Sequence, residues 1–375
     1  MRWSWRVARV FGIDINVHGT FLLLLLWVTI SDLIQSGTLF SAGARTFFVL
    51  AIFGTVVLHE LGHALTARRF GIRTRDITLF PIGGVARLER MPEKPFQELL
   101  VALAGPAVNV VLAGLLFGVL ATSGRSPILV SPLATESAPF LVRLFWVNVS
   151  LAAFNLLPAF PMDGGRVLHA ILASRMDHVR ATRIAARVGR GFAVVLGVIG
   201  VFANPILAVI ALFLWFGAAA EAGAAETKAA LAGVPVRAAM HGDFVVLDAD
   251  DDLGSAARRL VVGPRIDFPV MSSGVVVGLL TRAGLIEGLS TRGPGARVRE
   301  SMTRTFPVAH PNEMLETVLP RLATSPCGSV PVLEGGHIVG IITTESIGEL
   351  VRVKRALAAR APRRPITEPC TSPGP

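Results

Sequence analysis

The feature that most constrains this chain is a short histidine motif inside an apolar run. Residues 47–67 are mostly aliphatic and aromatic, yet they contain the sequence HELGH at His59–His63. On a helix, two histidines at this spacing share one face and can bind one Zn²⁺, with the glutamate between them as general base. Ionisable side chains in a membrane-grade segment are costly and commonly mark function. The motif therefore predicts a metalloprotease-type site within a membrane.

The composition supports a membrane protein. Hydrophobic residues make up 52% of the 375 residues, charged residues 17%, and the mean hydropathy is +0.60, which is too apolar for an ordinary soluble protein. The net charge of +10 comes mostly from arginines between the apolar runs, so we interpret it as membrane topology and expect no nucleic-acid partner. Cys327 and Cys370 lie far apart without a C-x-x-C pattern, which argues against disulfides and thiolate zinc sites.

Six apolar runs, each near the ~20 residues that a bilayer requires, predict six transmembrane helices. Their predicted bounds are Val17–Ile34, Thr46–Phe70, Phe96–Ala121, Phe140–Leu157, Gly189–Phe202 and Pro205–Ala220. Lysine and arginine are concentrated in the even-numbered connections, which predicts a multi-pass protein of the cell (plasma) membrane with both termini in the cytoplasm. The lipid bilayer is thus a predicted partner, and the histidine motif is expected nearer the cytosolic face.

Residues 76–88 are not helical in pattern. They combine β-forming residues with Pro81 and the pair Gly83-Gly84, which predicts a strand–turn–strand hairpin. A sheet edge beside a protease site can bind an extended peptide by strand addition. An ordinary cytoplasmic loop fits the spacing equally well.

A catalytic zinc requires a third protein ligand and an open position. The best candidate is Asp163, in the sequence NLLPAFPMDGGR at residues 155–166. Two prolines and two glycines in an apolar context predict a broken helix end, which membranes tolerate only inside protein or beside a wet cavity. A lone aspartate there needs a partner, and a metal ion is a suitable one.

These motifs resemble the site-2 protease family of intramembrane zinc metallopeptidases, which pairs HExxH on one membrane helix with N-x-x-P…(L/M)-D-G on another. The first motif is matched by His59, Glu60 and His63. The second is matched by Asn155, Pro158, Pro161, Asp163 and Gly164, with Met162 where leucine is commoner. Residues 105–109 resemble a family pattern in which a small residue is followed four positions later by a polar one. The Gly83-Gly84 hairpin resembles the family's membrane-dipping β-element. The resemblance covers about residues 10–220.

The resemblance implies a metalloendopeptidase that cuts within or near transmembrane segments of membrane-anchored protein substrates. It implies that His59, His63 and Asp163 bind one Zn²⁺ and that Glu60 activates a zinc-bound water. Asn155 is a candidate for stabilising the oxyanion, although a hydrogen bond at the helix break explains it equally well.

After about Gly233 the chain repeats itself with a shift of 62 residues. The sequence FPV at 268–270 aligns with VPV at 330–332, and GLLT at 278–281 aligns with GIIT at 340–343. Each repeat predicts the order strand, helix, strand, strand, helix. The first helices of the two repeats are expected at Leu253–Val261 and Met314–Ala323.

This pattern resembles tandem CBS domains, which implies one globular pair and identifies the CBS-containing bacterial branch of the protease family. Many CBS pairs bind adenine nucleotides as regulatory sensors. Nucleotide-binding members often have aspartate three residues after the G-x-x-T threonine, and here Gly284 and Ser346 occupy those positions. This slightly favours a structural or dimerising module over an adenine-nucleotide site.

Together these features predict an α-helical polytopic membrane protein with a small membrane-associated β-hairpin, followed by an α/β tandem CBS pair. The predicted boundaries are 1–222 for the transmembrane zinc protease domain, 223–233 for a linker, 234–291 and 296–352 for the CBS domains, and 353–375 for a basic, proline-rich disordered tail. Two other hypotheses stay open, a CBS-regulated transporter or channel and an inactive membrane scaffold. The first leaves HExxH and Asp163 unexplained, and the second leaves a complete set of catalytic residues unexplained.

Overall fold

The computed structural model describes residues 3–90, 92, 94–124, 138–262 and 267–360. The chain divides into two compact units, Met1–Ala225 and Glu226–Pro375.

Apolar helices dominate the first unit. In chain order they are α1 Gly19–Ser36, α2 Leu39–Arg69, α3 Pro95–Thr122, α4 Phe140–Asn155, α5 Asp163–Ala173, α6 His178–Ala203 and α7 Pro205–Leu231. All except α4 and α5 are long and apolar enough to cross a bilayer. The predicted fourth span corresponds to α4, whose 16 residues fall below the ~20 that a span requires. The described residues therefore hold five long membrane helices and one shorter apolar helix.

Helix α6 is much longer than the predicted span Gly189–Phe202, because it begins at His178. Its first half is amphipathic. Small residues such as Ala181 and Ala185 are buried, whereas Arg180 and Arg187 are exposed. A hydropathy run detects only the part beyond these arginines, although one continuous helix carries both parts.

A four-stranded sheet with the order β1-β2-β3-β4 accompanies the helices. The strands are β1 Ser4–Val10, β2 Ile13–His18, β3 Thr74–Phe80 and β4 Gly83–Leu88. The predicted hairpin is confirmed as β3–β4, and it joins β2 in parallel. The β1–β2 hairpin was not predicted, although apolar residues alternate along β2 and its turn residues Phe11 and Gly12 have the positive φ angles typical of two-residue hairpins.

The second unit confirms the predicted repeat of strand, helix, strand, strand, helix. Its elements are β5 Leu247–Asp248, α8 Leu253–Val262, β6 Phe268–Ser272, β7 Val275–Leu280, α9 Arg282–Arg292, α10 Leu315–Thr324, β8 Ser329–Glu334, β9 His337–Thr343 and α11 Thr344–Arg360. The first strand of the second repeat is reduced to one bridge between Ala309 and Val332.

The two repeats exchange their N-terminal segments. His241 pairs with Ile341, and Thr303, its counterpart 62 residues on, pairs with Leu279. Each repeat's apolar core is completed in the same crossed way: Val236 of the first repeat packs in the core of the second, and Val298 of the second packs in the core of the first. Neither core is complete without the other repeat, so the pair forms one globular unit.

Two predicted boundaries differ from the structure. Helix α7 continues through Leu231, so most of the predicted linker at 223–233 is helical. Helix α11 continues to Arg360, so the predicted disordered tail at 353–375 begins inside a helix, and residues 361–375 lie outside the described residues. In both cases alanine-rich sequence continues the helix, since alanine is the best helix former.

Helices α2 and α3 pack closely at Gly62. A Cβ added there would lie 2.8 Å from the Ala104 carbonyl oxygen and 2.9 Å from a methyl group of Val108. The backbone oxygen cannot move aside without displacing α3, so this position requires glycine.

We expect Gly62→Ala to lower the free energy of unfolding by about 1–3 kcal/mol through overpacking. Gly54→Ala is the matched control on the same helix, because a Cβ there meets nothing within 4 Å and alanine is the better helix former. Denaturant titration of both variants in detergent measures the difference. Equal stability of the two variants would contradict close packing at Gly62.

Candidate metal centre

Three potential ligand atoms converge at one point of the first unit. His59 and His63 lie one turn apart on α2, and Asp163 is the first residue of α5. The two Nε2 atoms are 3.0 Å apart, and each lies 3.2 Å from Oδ2 of Asp163. Ligands at the Zn–N and Zn–O distances of tetrahedral zinc are about 3.3 Å from one another. The triangle therefore has the size of one face of a zinc coordination sphere.

The Nδ1 atoms of both imidazoles donate hydrogen bonds. Nδ1–H of His59 donates to Oδ1 of Asn109 at 2.6 Å, and Nδ1–H of His63 donates to the Val101 carbonyl at 2.7 Å. Each neutral ring has one N–H, so both Nε2 atoms direct lone pairs inward. Oδ2 of Asp163 is buried and has no hydrogen-bond donor among the described residues. Three facing acceptors repel one another unless a cation lies between them, and the N, N, O set suits Zn²⁺.

A chain of amides holds His59 in this orientation. Asn109 donates through Nδ2 to Oδ1 of Asn148 at 3.0 Å, and Asn148 donates through Nδ2 to the Leu144 carbonyl at 2.9 Å. A carbonyl only accepts, so it fixes the direction of both amides and thereby the His59 tautomer. Both asparagines are fully buried.

Asn148 was not predicted from the sequence. An amide within the apolar sequence of α4 needs a hydrogen-bond partner inside a bilayer, and that requirement is the only signal the sequence offers.

The segment between α4 and α5 brings Asp163 to the histidines. It is the predicted broken helix, and Ala159 and Phe160 within it are buried. A Cβ on Gly165 would lie 2.6 Å from the Ala159 carbonyl carbon, and one on Gly217 of α7 would lie 2.6 Å from Cδ of Pro161. Glycines on two helices thus let this irregular backbone pack within protein, as membrane depth requires.

The remaining predicted site residues line the same cleft. It has a volume of about 530 Å³, and its walls include Glu60, Gly83, Gly84 and Asn155 beside the three ligands. A Cβ on Gly84 would lie 3.0 Å from Cγ of Glu60, so the β4 backbone lies directly against the general-base candidate. The structure therefore brings together every site residue that the sequence predicted.

Glu98 also lines this cleft and was not predicted from the sequence. Its carboxylate accepts a hydrogen bond from Nδ1 of His169 at 2.9 Å. Nε2 of His169 lies 3.3 Å from Nδ1 of His178. His169 is buried, and this carboxylate is its hydrogen-bond partner.

Two protein-family models match the sequence of this chain. The model of peptidase family M50 matches residues 47–135 and 127–198, and the CBS domain model matches residues 236–291 and 298–351. A zinc metalloprotease of Methanocaldococcus jannaschii is 32% identical over 351 residues, which cover 92% of this chain and 96% of that protein. The protein Rip3 of Mycobacterium tuberculosis (strain H37Rv) is 32% identical over 380 residues, with 95% and 94% covered.

A solved structure of a site-2 protease from Methanocaldococcus jannaschii is 36% identical to this chain. The match covers 59% of this chain and 95% of that chain, with a TM-score of 0.43.

We expect Gly105→Ala to abolish zinc binding, because the added methyl group would overlap Nε2 of His63 and lie 2.7 Å from Nε2 of His59. Gly114→Ala on the same helix is the control, since a Cβ there meets nothing within 4 Å. The zinc content of the purified variants, measured by atomic spectrometry, is the readout. A Gly105→Ala protein with a full complement of zinc would contradict this placement of the metal.

We expect Asn148→Ala to weaken zinc binding by about tenfold, because it leaves Asn109 free to turn away from His59. Competition with a chelator of known affinity measures the change. Ser150→Ala is the control, an exposed polar position on the same helix. An affinity unchanged by Asn148→Ala would show that the amide chain does not orient the ligand.

Proposed function

The chain belongs to peptidase family M50, the site-2 zinc metalloproteases, and from this premise we propose that it cleaves membrane-anchored proteins within or near their transmembrane segments. The observation that carries the proposal is the position of the three converging acceptors. Two of them lie on α2, a helix of 31 residues apolar enough to span a bilayer. A site on such a helix is more accessible to the membrane segments of other proteins than to soluble proteins.

The proposed mechanism divides the work between a bound metal and this chain's own side chains. His59, His63 and Asp163 would hold Zn²⁺, which when bound acts as a Lewis acid on water and on the scissile carbonyl. Glu60 takes the proton of the attacking water and delivers it to the leaving amine. Asn155, on the same cleft wall, donates a hydrogen bond to the developing oxyanion.

The hairpin supplies a place for the substrate backbone. Strand β4 is the last strand in the sheet order, so one of its edges has no partner strand in the described part of the chain. Phe80 and Gly83 flank a two-residue turn and form a hydrogen-bonded pair. The bonds alternate from there, so Gly84 and Ala86 direct their N–H and C=O groups to the open edge. Both residues line the cleft, which supports binding of an extended peptide by strand addition.

Hydrogen bonds within the CBS pair support a structural role for this pair. The Thr281 hydroxyl accepts a hydrogen bond from the Gly284 N–H, and the Thr343 hydroxyl accepts one from the Ser346 N–H. Both threonines of the G-x-x-T pattern therefore cap the helix that follows. Regulation by adenine nucleotide, dimerisation through the pair and a cytoplasmic location of the termini stay predictions.

We expect Glu60→Gln to keep its zinc and to lower kcat by about 10²–10⁴-fold, the usual contribution of general acid–base catalysis. Glu89→Gln is the control, because Glu89 is exposed and lies outside the residues that line the cleft. Cleavage of a co-expressed membrane-anchored substrate and zinc content are measured together. Intact cleavage by Glu60→Gln would sink the mechanism, and loss of zinc would make Glu60 part of the metal site instead.

We expect Ala86→Pro to raise KM by about tenfold and to lower kcat as well, because proline removes one outward N–H that donates to the Glu60 carboxylate and, in this proposal, to the substrate. The ladder to β3 stays intact, since proline is tolerated where the N–H faces away from the sheet. Ala86→Val keeps the N–H and is the control. Steady-state kinetics on a peptide substrate, with zinc content as a check on folding, tests this; equal KM values for both variants would exclude strand addition at this edge.

A further inference from the structure

One face of α6 changes from basic to aliphatic along its length. The arginines of this face follow one another at steps of three and four residues, and valines continue the same steps, so all of them share one side of the helix. The residues are Arg180, Arg183, Arg187, Arg190, Val194, Val198 and Val201. The arginines before Arg190 are exposed, as are the three valines. We name this side the outer face of α6.

Arg190 is the unusual member of the outer face. It lies in a helix long and apolar enough to span a bilayer, and its Nε is buried without a hydrogen-bond partner among the described residues. Its guanidinium lies 6.0 Å from the ring centroid of Trp215 on α7. In the part of the chain that the structure describes, no carboxylate forms a salt bridge with it. Intramembrane charges are nearly always paired, so we expect the anion that pairs with Arg190 to come from outside the described residues.

The position of Arg190 along the helix indicates where that anion lies. Arg190 precedes Ala203, the last residue of α6, by 13 residues, about 20 Å at 1.5 Å per residue. The hydrocarbon layer is about 30 Å thick. A helix that ends near one boundary therefore places Arg190 within reach of the other, where arginine side chains extend to the headgroups.

We propose that the outer face of α6, together with Trp215, binds an anionic phospholipid. The phosphate lies against Arg187 and Arg190, and the acyl chains lie along Val194, Val198 and Val201. Basic clusters at the ends of membrane helices bind anionic headgroups in this way. A free phosphate ion would use only the arginines, whereas a lipid also covers the valines that continue the face. The proposal depends on α6 spanning the membrane and not on the proteolytic activity.

Trp215 is a built-in probe for the test. The full-length protein is reconstituted into vesicles that contain brominated phosphatidylglycerol or, at the same bromine fraction, brominated phosphatidylcholine. Bromine quenches tryptophan at short range, and the difference between the unmodified chain and Trp215→Phe isolates the Trp215 signal. The expected result is a preference of about fivefold or more for the anionic lipid, since each interfacial arginine contributes about that factor.

Matched variants decide whether the outer face of α6 is responsible. We expect the preference to fall by about fivefold in Arg187→Gln and in Arg190→Gln. Arg187 is exposed, so its variant keeps the test valid if the half-buried Arg190 is needed for folding. Arg69→Gln, an exposed arginine at the end of α2, removes the same charge elsewhere and should leave the preference unchanged.

Three outcomes would overturn the proposal. The first is equal quenching of Trp215 by the two lipids, and the second is an equal loss of preference in Arg69→Gln and Arg187→Gln. The third is displacement of the anionic lipid by inorganic phosphate but not by potassium chloride of equal ionic strength, which would assign the site to a free ion. A protein with a full lipid preference and no proteolysis would contradict the proposed function and leave this inference standing.

Discussion

The first unit is organised by the need to hold three facing acceptor atoms in apolar surroundings. The Nε2 atoms of His59 and His63 and a carboxylate oxygen of Asp163 lie within 3.2 Å of one another, an arrangement that a bound metal cation stabilises. Keeping the imidazoles in that orientation requires acceptors behind them, and the Asn109 amide and the Val101 carbonyl supply these. Both come from α3, so the close packing of α2 and α3 at glycines is a condition of the metal site.

The third ligand imposes a second condition. Asp163 reaches the histidines as the first residue of α5, directly after the irregular segment that follows α4. The backbone of this break must be enclosed by protein. Gly165 and Gly217 leave the space for that enclosure. The same need explains why α6 and α7 pack around Ala159 and Phe160.

In the second unit, neither sequence repeat forms an apolar core by itself. Val236 and Val298 cross to the opposite repeat, and the backbone pairs of His241 and Thr303 cross in the same way. Met240 contacts Gly340 and Met302 contacts Gly278 at corresponding positions. The sequence repeat of 62 residues therefore corresponds to an approximate twofold axis that relates the two repeats in the structure.

The sequence by itself determined the chemistry and the division of the chain. Three patterns can be recognised in the sequence without coordinates. They are HExxH in an apolar run, an aspartate at a proline- and glycine-rich break, and a gapless repeat. The β3–β4 hairpin was predictable for the same reason. Helix α6 exceeded its prediction because hydropathy averages over all faces of a helix, whereas its arginines occupy only the outer face.

Tertiary structure alone decided which groups meet. Nothing local links Asn148 to His59, Glu98 to His169 or Arg190 to Trp215, because each pair joins different helices and depends on how those helices pack. The same holds for the sheet, where β2 pairs in parallel with β3 across the whole of α1 and α2. Residue types and their spacing specify what chemistry is possible, and the packing of helices with small residues at their contacts determines which side chains carry it out.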